Sequence, residues 1–534
     1  MADALERNTR TVMSLTFISR ISGLVREGVL SRLFGTDATL GAFYFAFLIP
    51  NLFRRLFGEG ALAAAFLPEY QSLLADDPHR ARALAGLTAG GLLAGLGAIV
   101  VVAECILLLV TALPGTPGPA LWLTMIMLPF APLICSVALL GAMLQVHGRF
   151  GPTAAAPIIL NVCLATAAGV GWWLVAPDAT GDDRGRLIVA AIMAGSVVVA
   201  GLLQATWSMI ALRKHARISL DRSGMDGVRR VLRRMAPMLL GLGVLQVNTL
   251  LDGLIASWPV LSSSDTIFGI AYPLDTHAMS TITFAQRLYQ FPLGVFGIAV
   301  ATAIYPLLTA RATDHDHFAD TIRRGLRLVI FIGLPAGIGL LLVRTPLTAL
   351  LLEGGNFSSA DTHRVAYVLA GYATSIWAYS AVQVLTRGFY ALNDLRTPVR
   401  LAVAMVALNL VLNLVLIWTP LGEAGLAWST AVSATIQSLL LWIFLQRRTG
   451  GLFQRGVGRS ITGSIIATAC MAAAVGGSLW AMGIGTDTLG WAWRLGVLVA
   501  VGGVSYAGIA RVLGMPELQW ALGRSISDNP ARGA

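Results

Sequence analysis

Apolar runs of about twenty residues, each closed by a short polar break, recur along the whole chain. A run of that length coiled as an α-helix crosses the hydrocarbon of a bilayer, whereas a membrane β-barrel would show alternating segments of roughly ten residues. No such alternation is present. Reading the runs between breaks places helices near 11–34, 40–66, 84–112, 120–146, 153–176, 187–212 and 233–257, then 278–310, 323–343, 364–390, 398–418, 423–446, 458–482 and 490–513. The expected fold is an all-α polytopic membrane protein of about fourteen transmembrane helices. Composition agrees, since 12% of the 534 residues are charged against about a quarter in soluble globular chains. The longest polar stretch, 213–234, is too short for a soluble domain.

The formal charge of +11 would point to nucleic acid in a soluble chain. Here the arginines gather in loops after even-numbered spans: His79 to Arg82, Arg149, the Arg213–Arg234 cluster, Arg311 with Arg323 and Arg324, Arg396 with Arg400, and Arg447-Arg448. Loops after odd-numbered spans are acidic or neutral, as in "PDATGDDRGR" and "SSSDTIFGIAYPLD". The positive-inside rule then places both termini in the cytoplasm and makes the span count even, in a multi-pass cytoplasmic (inner) membrane protein with no nucleic-acid partner. The first apolar stretch, broken by Arg20 and Arg26, does not read as a cleavable signal peptide. Cys105, Cys135, Cys163 and Cys470 each sit alone in apolar helices and read as core packing.

A faint repeat runs through this pattern. "ALAAAFLP" (61–68) matches "AVATAIYP" (299–306), and "GAMLQVHGRFGP" (141–152) matches "GFYALNDLRTP" (388–398), both offset by about 240 residues. The expected organisation is two pseudo-repeated six-helix lobes around a central cavity, residues 1–220 and 221–450. Two further helices and the C-terminus follow in 451–534. Internal repeats around a central site are characteristic of alternating-access transporters.

Ionised side chains at membrane depth are costly, so they mark cavities and function. The first predicted helix carries Arg20, Arg26 and Glu27, the second Arg54, Arg55 and Glu59, and the eighth Arg287. Arg20 and Glu27 share a helical face and Arg55 and Glu59 are i,i+4 neighbours, so one reading is simple pairing or snorkelling. Five arginines face only two glutamates, however. A surplus of guanidinium forks suits an anion, phosphate above all. Ser22-Gly23, Pro50, Gly58, Gly60, Pro292, Gly294 and Gly297 accompany the charges as breakers and hinges.

A second constellation sits further on. Asp252 in the seventh helix, Asn409 and Asn413 at i,i+4 on the eleventh and Thr430 on the twelfth offer hard oxygen donors for Na⁺ as a coupling ion; the plainer reading is interhelical hydrogen bonding. Glu104 is a further carboxylate in an apolar helix, without an assigned role, and His315 and His317 read as solvated.

The segments "SRISGLVRE", "AFLIPNLFRRLFGEGALAAAFLPEY", "QRLYQFPLGVFGIAVATAIYP" and "GFYALNDLRTPVR" resemble, in order and over nearly the full length, the signatures of the MurJ (MviN) lipid II flippase family of the MOP exporter superfamily. The resemblance implies a transporter, not an enzyme. It would move lipid II, the undecaprenyl-pyrophosphate-linked peptidoglycan precursor, from the cytoplasmic to the periplasmic leaflet, driven by an ion gradient or membrane potential. It assigns Arg20, Arg26, Arg54 and Arg287 to substrate, with Glu27, Arg55, Glu59, Asp37 and Gly23 supporting or gating. The last two helices would hold the polyprenyl tail. Implied partners are lipid II, membrane lipids and peptidoglycan-synthesis proteins, with the chain acting as a monomer and no cofactor beyond Na⁺. The chain departs from the family at Gly41, where an acidic residue is usual, with Asp37 four residues earlier as its substitute. It departs again at Gln286, where many relatives have an acid beside the arginine. The alternatives are another MOP-type exporter, for lipid-linked O-antigen oligosaccharide or cation-coupled drugs, and a membrane enzyme acting on the same substrate. The short, motif-free loops argue against the enzyme.

Overall fold

The computed structural model describes residues 2–112, 118–175, 183–215, 219–262, 264–294, 298–311, 314–452, 455–482 and 488–521. Side chains at 2–10, 58–61, 237, 240–242, 244–245, 298–299, 315, 455 and 488–489 lie outside that description. Nearly everything described is helix. In chain order the helices are α1 (Ala2–Phe34), α2 (Ala38–Phe53), a π-helical run (Arg54–Ala61), α3 (Leu62–Asp76), α4 (Pro78–Thr111), α5 (Pro119–Met127), α6 (Phe130–Val146), α7 (Gly151–Val175) and α8 (Asp183–Leu212). Next come α9 (Met225–Ser262), α10 (Ala278–Pro292), α11 (Ile298–Ala310), α12 (His315–Leu352), α13 (Ser359–Thr374) and α14 (Ile376–Ala391). The series ends with α15 (Arg396–Leu416), α16 (Ala424–Thr449), α17 (Arg455–Met482), α18 (Thr488–Val512) and the short α19 (Glu517–Ala521).

Each predicted span coincides with one helix or with two consecutive α-helices, which in the second span are joined by the π-helical run. Among the described residues, ten helical segments are long and apolar enough to cross a membrane. The remaining predicted spans fall on α1, on α2 to α3, on α9 and on α10 to α11. These carry Arg20, Arg26, Glu27, Arg54, Arg55, Asp252 and Arg287, which include every arginine singled out by sequence.

Four predicted spans are interrupted, and the interruptions repeat. The second has the π-helical run four residues after Pro50, and the eighth has π-helical backbone at 293–294 directly after Pro292. Proline removes a backbone donor and clashes with the preceding turn, so a local widening of the coil is the expected response. The fourth span breaks at Leu128-Pro129 and the tenth at Ser375, again about 240 residues apart. Packing repeats too: α3 meets α6, α6 meets α8 and α7 meets α8, while α11 meets α14, α14 meets α16 and α15 meets α16.

The chain divides into two compact units. The first holds Met1–Thr283 with Leu352–Ser358, and the second Phe284–Leu351 with Ser359–Ala534. The first unit thus includes α9, which packs on α2, the π-helical run and α3. Its core includes Leu62, Phe66, Tyr70, Leu84, Leu139 and Met143. In the second unit one cluster centres on Phe318, Ile322, Leu385 and Phe389. Another joins α12 to α17 and α18 through Phe331, Met471 and Tyr506. The C-terminal pair is pinned there by Glu517 of α19, which accepts from Arg327 Nε at 2.6 Å and from Ser460 Oγ at 2.6 Å.

Candidate functional site

In the first unit α1 runs unbroken through Ser22-Gly23 and packs along α7. Gly23 contributes close approach, since a Cβ there would stand 3.6 Å from Asn161 Nδ2. Asn161 donates to the Ser22 hydroxyl at 2.9 Å and to the Ser19 carbonyl at 3.2 Å. That fixes its amide orientation and aims Oδ1 at Arg26, whose Nη1 donates to it at 2.9 Å. The other fork of Arg26 donates to Glu27, and the second Glu27 oxygen accepts from the Tyr44 hydroxyl of α2 at 2.6 Å. Arg26 is 7% exposed and Glu27 2%. A buried ion pair survives only where further hydrogen bonds satisfy it, and here Asn161 and Tyr44 supply them. The structure therefore identifies Arg26 as the arginine that Glu27 neutralises.

Arg20 is half-buried two turns before Arg26 on α1, and Arg54 and Arg55 are half-buried at the head of the π-helical run. Arg54 Nε donates to Asn51 Oδ1 at 2.9 Å. The wider coil alters the i,i+4 stacking read for Arg55 and Glu59, and the Glu59 side chain lies outside the described residues. The irregular backbone recruits a neighbour: the Cys135 thiol donates to the Phe53 carbonyl at 3.6 Å. Asp37 caps α2 by accepting from Thr39 N at 3.0 Å and pairs with Arg186 of α8 at 2.7 Å. At Gly41 a Cβ would sit 3.3 Å from the Thr276 carbonyl oxygen, so an acid there would press against another acceptor. Asp252 accepts from Asn248 Nδ2 at 3.3 Å on α9.

The second unit contains Arg287, half-buried on α10. Its neighbour Gln286 donates from Nε2 to the Tyr372 hydroxyl at 3.0 Å, and Tyr372 stacks on Tyr289 with centroids 4.8 Å apart. On α15 and α16 a closed triad forms: Asn413 donates to Asn409 Oδ1 at 3.1 Å, Asn409 to Ser429 Oγ at 3.2 Å, and Ser429 to Asn413 Oδ1. The two bonds through Ser429 are the interhelical hydrogen bonds of the plainer reading, while the Asn413–Asn409 bond lies within α15. Thr430 donates to the Leu426 carbonyl at 2.8 Å. Asn161, Tyr44, Arg186, Tyr372 and Ser429 escaped the sequence reading. Asn161 alone was findable, as the one carboxamide in the apolar run 153–176.

Residues 30–484 match the family model described as lipid II flippase MurJ. A probable lipid II flippase MurJ of Vibrio cholerae serotype O1 is 32% identical over 539 residues, covering 94% of this chain and 95% of that protein. The lipid II flippase MurJ of Burkholderia cenocepacia is 31% identical, covering 85% and 86%. Among solved structures, a lipid II flippase MurJ in an inward closed conformation superposes with a TM-score of 0.74 at 20% identity, over 96% of this chain and 99% of that one. An inward-facing multidrug resistance MATE family transporter of the MOP superfamily gives 0.60 at 15% identity, over 83% and 95%. These two likenesses concern the fold.

Proposed function

The chain belongs to the lipid II flippase MurJ family, and from that premise we propose that it carries lipid II from the cytoplasmic to the periplasmic leaflet by alternating access. The observation that supports the mechanism is the gathering of guanidinium groups in the first unit, with Arg20 and Arg26 on α1 and Arg54 and Arg55 at the head of the π-helical run. Arg26 is enclosed by Glu27 and Asn161. Guanidinium groups grip a pyrophosphate bidentately, and their worth rises where water is sparse. Arg20 and Arg54 bind the pyrophosphate in this reading, Arg26 holds α1 to α2 and α7, and Arg287 serves the substrate from the second unit. The protein acts as a monomer in the cytoplasmic membrane with both termini inside, delivering substrate to the peptidoglycan-synthesis proteins.

An ion gradient or the membrane potential drives the cycle. Na⁺ is drawn to the oxygen donors of Asn409, Asn413 and Thr430; binding of radioactive Na⁺ to purified protein, weakened in Asn413→Ala, tests that step. The main test is complementation of flippase-depleted cells with lipid II measured in each leaflet. Wild-type chain should restore outer-leaflet lipid II and Arg20→Ala should not. Failure of the wild-type chain sinks the function; full activity of Arg20→Ala, Arg54→Ala and Arg287→Ala alike sinks the cationic mechanism.

A further inference from the structure

Between α9 and α10 the chain forms a two-stranded antiparallel hairpin, Thr266–Ile267 against Ile270–Ala271. Its turn consists of Phe268 at φ 50° and Gly269 at φ 80°. Two successive left-handed residues make the turn favoured by tight hairpins, which ordinarily takes Asn-Gly or Asp-Gly. Phenylalanine is a poor choice by that criterion, because a bulky side chain at positive φ is strained. Asn393, the other described non-glycine residue at positive φ, is of the type that tolerates it. Phe268 is also 99% exposed, and Ile270 is exposed beside it. The tip therefore bears an aromatic side chain that contributes nothing to the fold and costs backbone energy.

The base of the hairpin is held firmly. Tyr272 N donates to the Asp265 carbonyl at 2.7 Å, closing the ladder. The Tyr272 hydroxyl donates to the Ile255 carbonyl at 2.7 Å, about two turns back from the end of α9. Its ring meets that of Trp258 at 6.3 Å. Burial pushes the Tyr272 phenol up to about 12, so it remains a donor at any physiological pH. The base of the hairpin is thus tied to the last two turns of α9, and a tip three residues from that base reaches about 10 Å at most. The polar layer of one leaflet is about 6 Å thick, of the same order as that reach. From Thr266 to Leu274 the chain carries no charge, and α9 itself exposes Val247 and Leu254, seven residues apart on one stripe. An uncharged, aromatic-tipped element tied to a spanning helix is the chemistry of an interfacial anchor.

We propose that Phe268 and Ile270 insert into the interfacial layer of the bilayer, so that the hairpin anchors the α9–α10 connection to phospholipid. This rests on the reading of α9 and α10 as membrane spans. The test uses the full chain in phosphatidylethanolamine–phosphatidylglycerol vesicles, with Cys105, Cys163 and Cys470 replaced by alanine and the buried Cys135 retained. Nitroxide labels are placed singly by Phe268→Cys, Val102→Cys on the exposed face of α4, and Ser223→Cys in a polar loop. Oxygen collisions should exceed nickel-chelate collisions at 268 as at 102, and the order should reverse at 223. Lipid-like behaviour at 102 with water-like behaviour at 268 overturns the anchor and leaves the membrane reading intact. Shielding of 268 from both probes means that the tip packs on protein, and overturns it equally. Water-like behaviour at both 102 and 268 would sink the membrane reading and the anchor together.

Discussion

At the scale of single residues, the sequence shows a surplus of positive charge on α1 without saying which arginine Glu27 neutralises. Helical periodicity favours Arg20, which shares a face with Glu27, whereas the folded chain pairs Glu27 with its immediate neighbour Arg26. Adjacent residues face apart on a helix, but a guanidinium on a long stem can turn back once Asn161 and Tyr44 fix the surrounding polarity. This tertiary dependence is why the cluster of charges was legible in the sequence and its pairing was not. It also separates two classes of variant. Asn161→Ala leaves a buried guanidinium with one partner fewer, costing about 1–3 kcal/mol. Glu27→Gln removes the compensating charge and costs about 3–5 kcal/mol. Arg20→Ala, at a half-buried position, should destabilise less than Glu27→Gln while abolishing flipping. Thermal unfolding in detergent measures all three, and equal destabilisation by Arg20→Ala and Glu27→Gln would contradict the assignment of roles.

At the scale of elements, most helices were legible because apolar length alone decides them, and the breaks were legible at Pro50 and Pro292, whereas Ser22-Gly23 leaves α1 unbroken. The π-helical run was not legible, since Pro50 predicts a disturbance without its form. Helix ends hold a further dependence. At the C-terminus of α6, His147 lies 3.3 Å from the Tyr70 hydroxyl of α3, and its ring stacks on His215, which accepts from Arg149 Nε at 3.2 Å. Burial, with a smaller contribution from His215, holds the His147 pKa below its ordinary value. The unfolded chain then binds the proton more readily than the folded one. The cluster's contribution is full above the ordinary histidine pKa of about 6.5 and is lost as pH falls below it. Unfolding midpoints should drop between about pH 7 and 5, and His147→Phe should flatten part of that slope. An unchanged slope in His147→Phe would remove this cluster from the account of acid sensitivity.

At the scale of the whole molecule, the repeat faintly visible in two octapeptide and helix-end matches is carried far more strongly by matching interruptions and matching helix contacts. Sequence drift erases side-chain identity sooner than it erases the place where a helix must break, because a proline or a π turn constrains backbone and not surface. The same logic bears on topology. Loop charge assigns Ser72 to Asp77, and Ser223 after α8, to the cytoplasm, and assigns Ser264 after α9 and Leu421 after α15 to the opposite side. Ser223 and Ser264 flank α9, so they must lie on opposite faces if α9 spans once. Single cysteines at 72, 223, 264 and 421, treated in intact cells with a membrane-impermeant maleimide, should react at 264 and 421 only. Permeabilisation should then expose 72 and 223. Labelling of 223 and 264 from the same side would mean that α9 does not cross, that the span count is odd, and that one terminus lies outside the cytoplasm. The alternation of basic and acidic loops makes that outcome expensive, because every basic loop beyond α9 would have to be translocated.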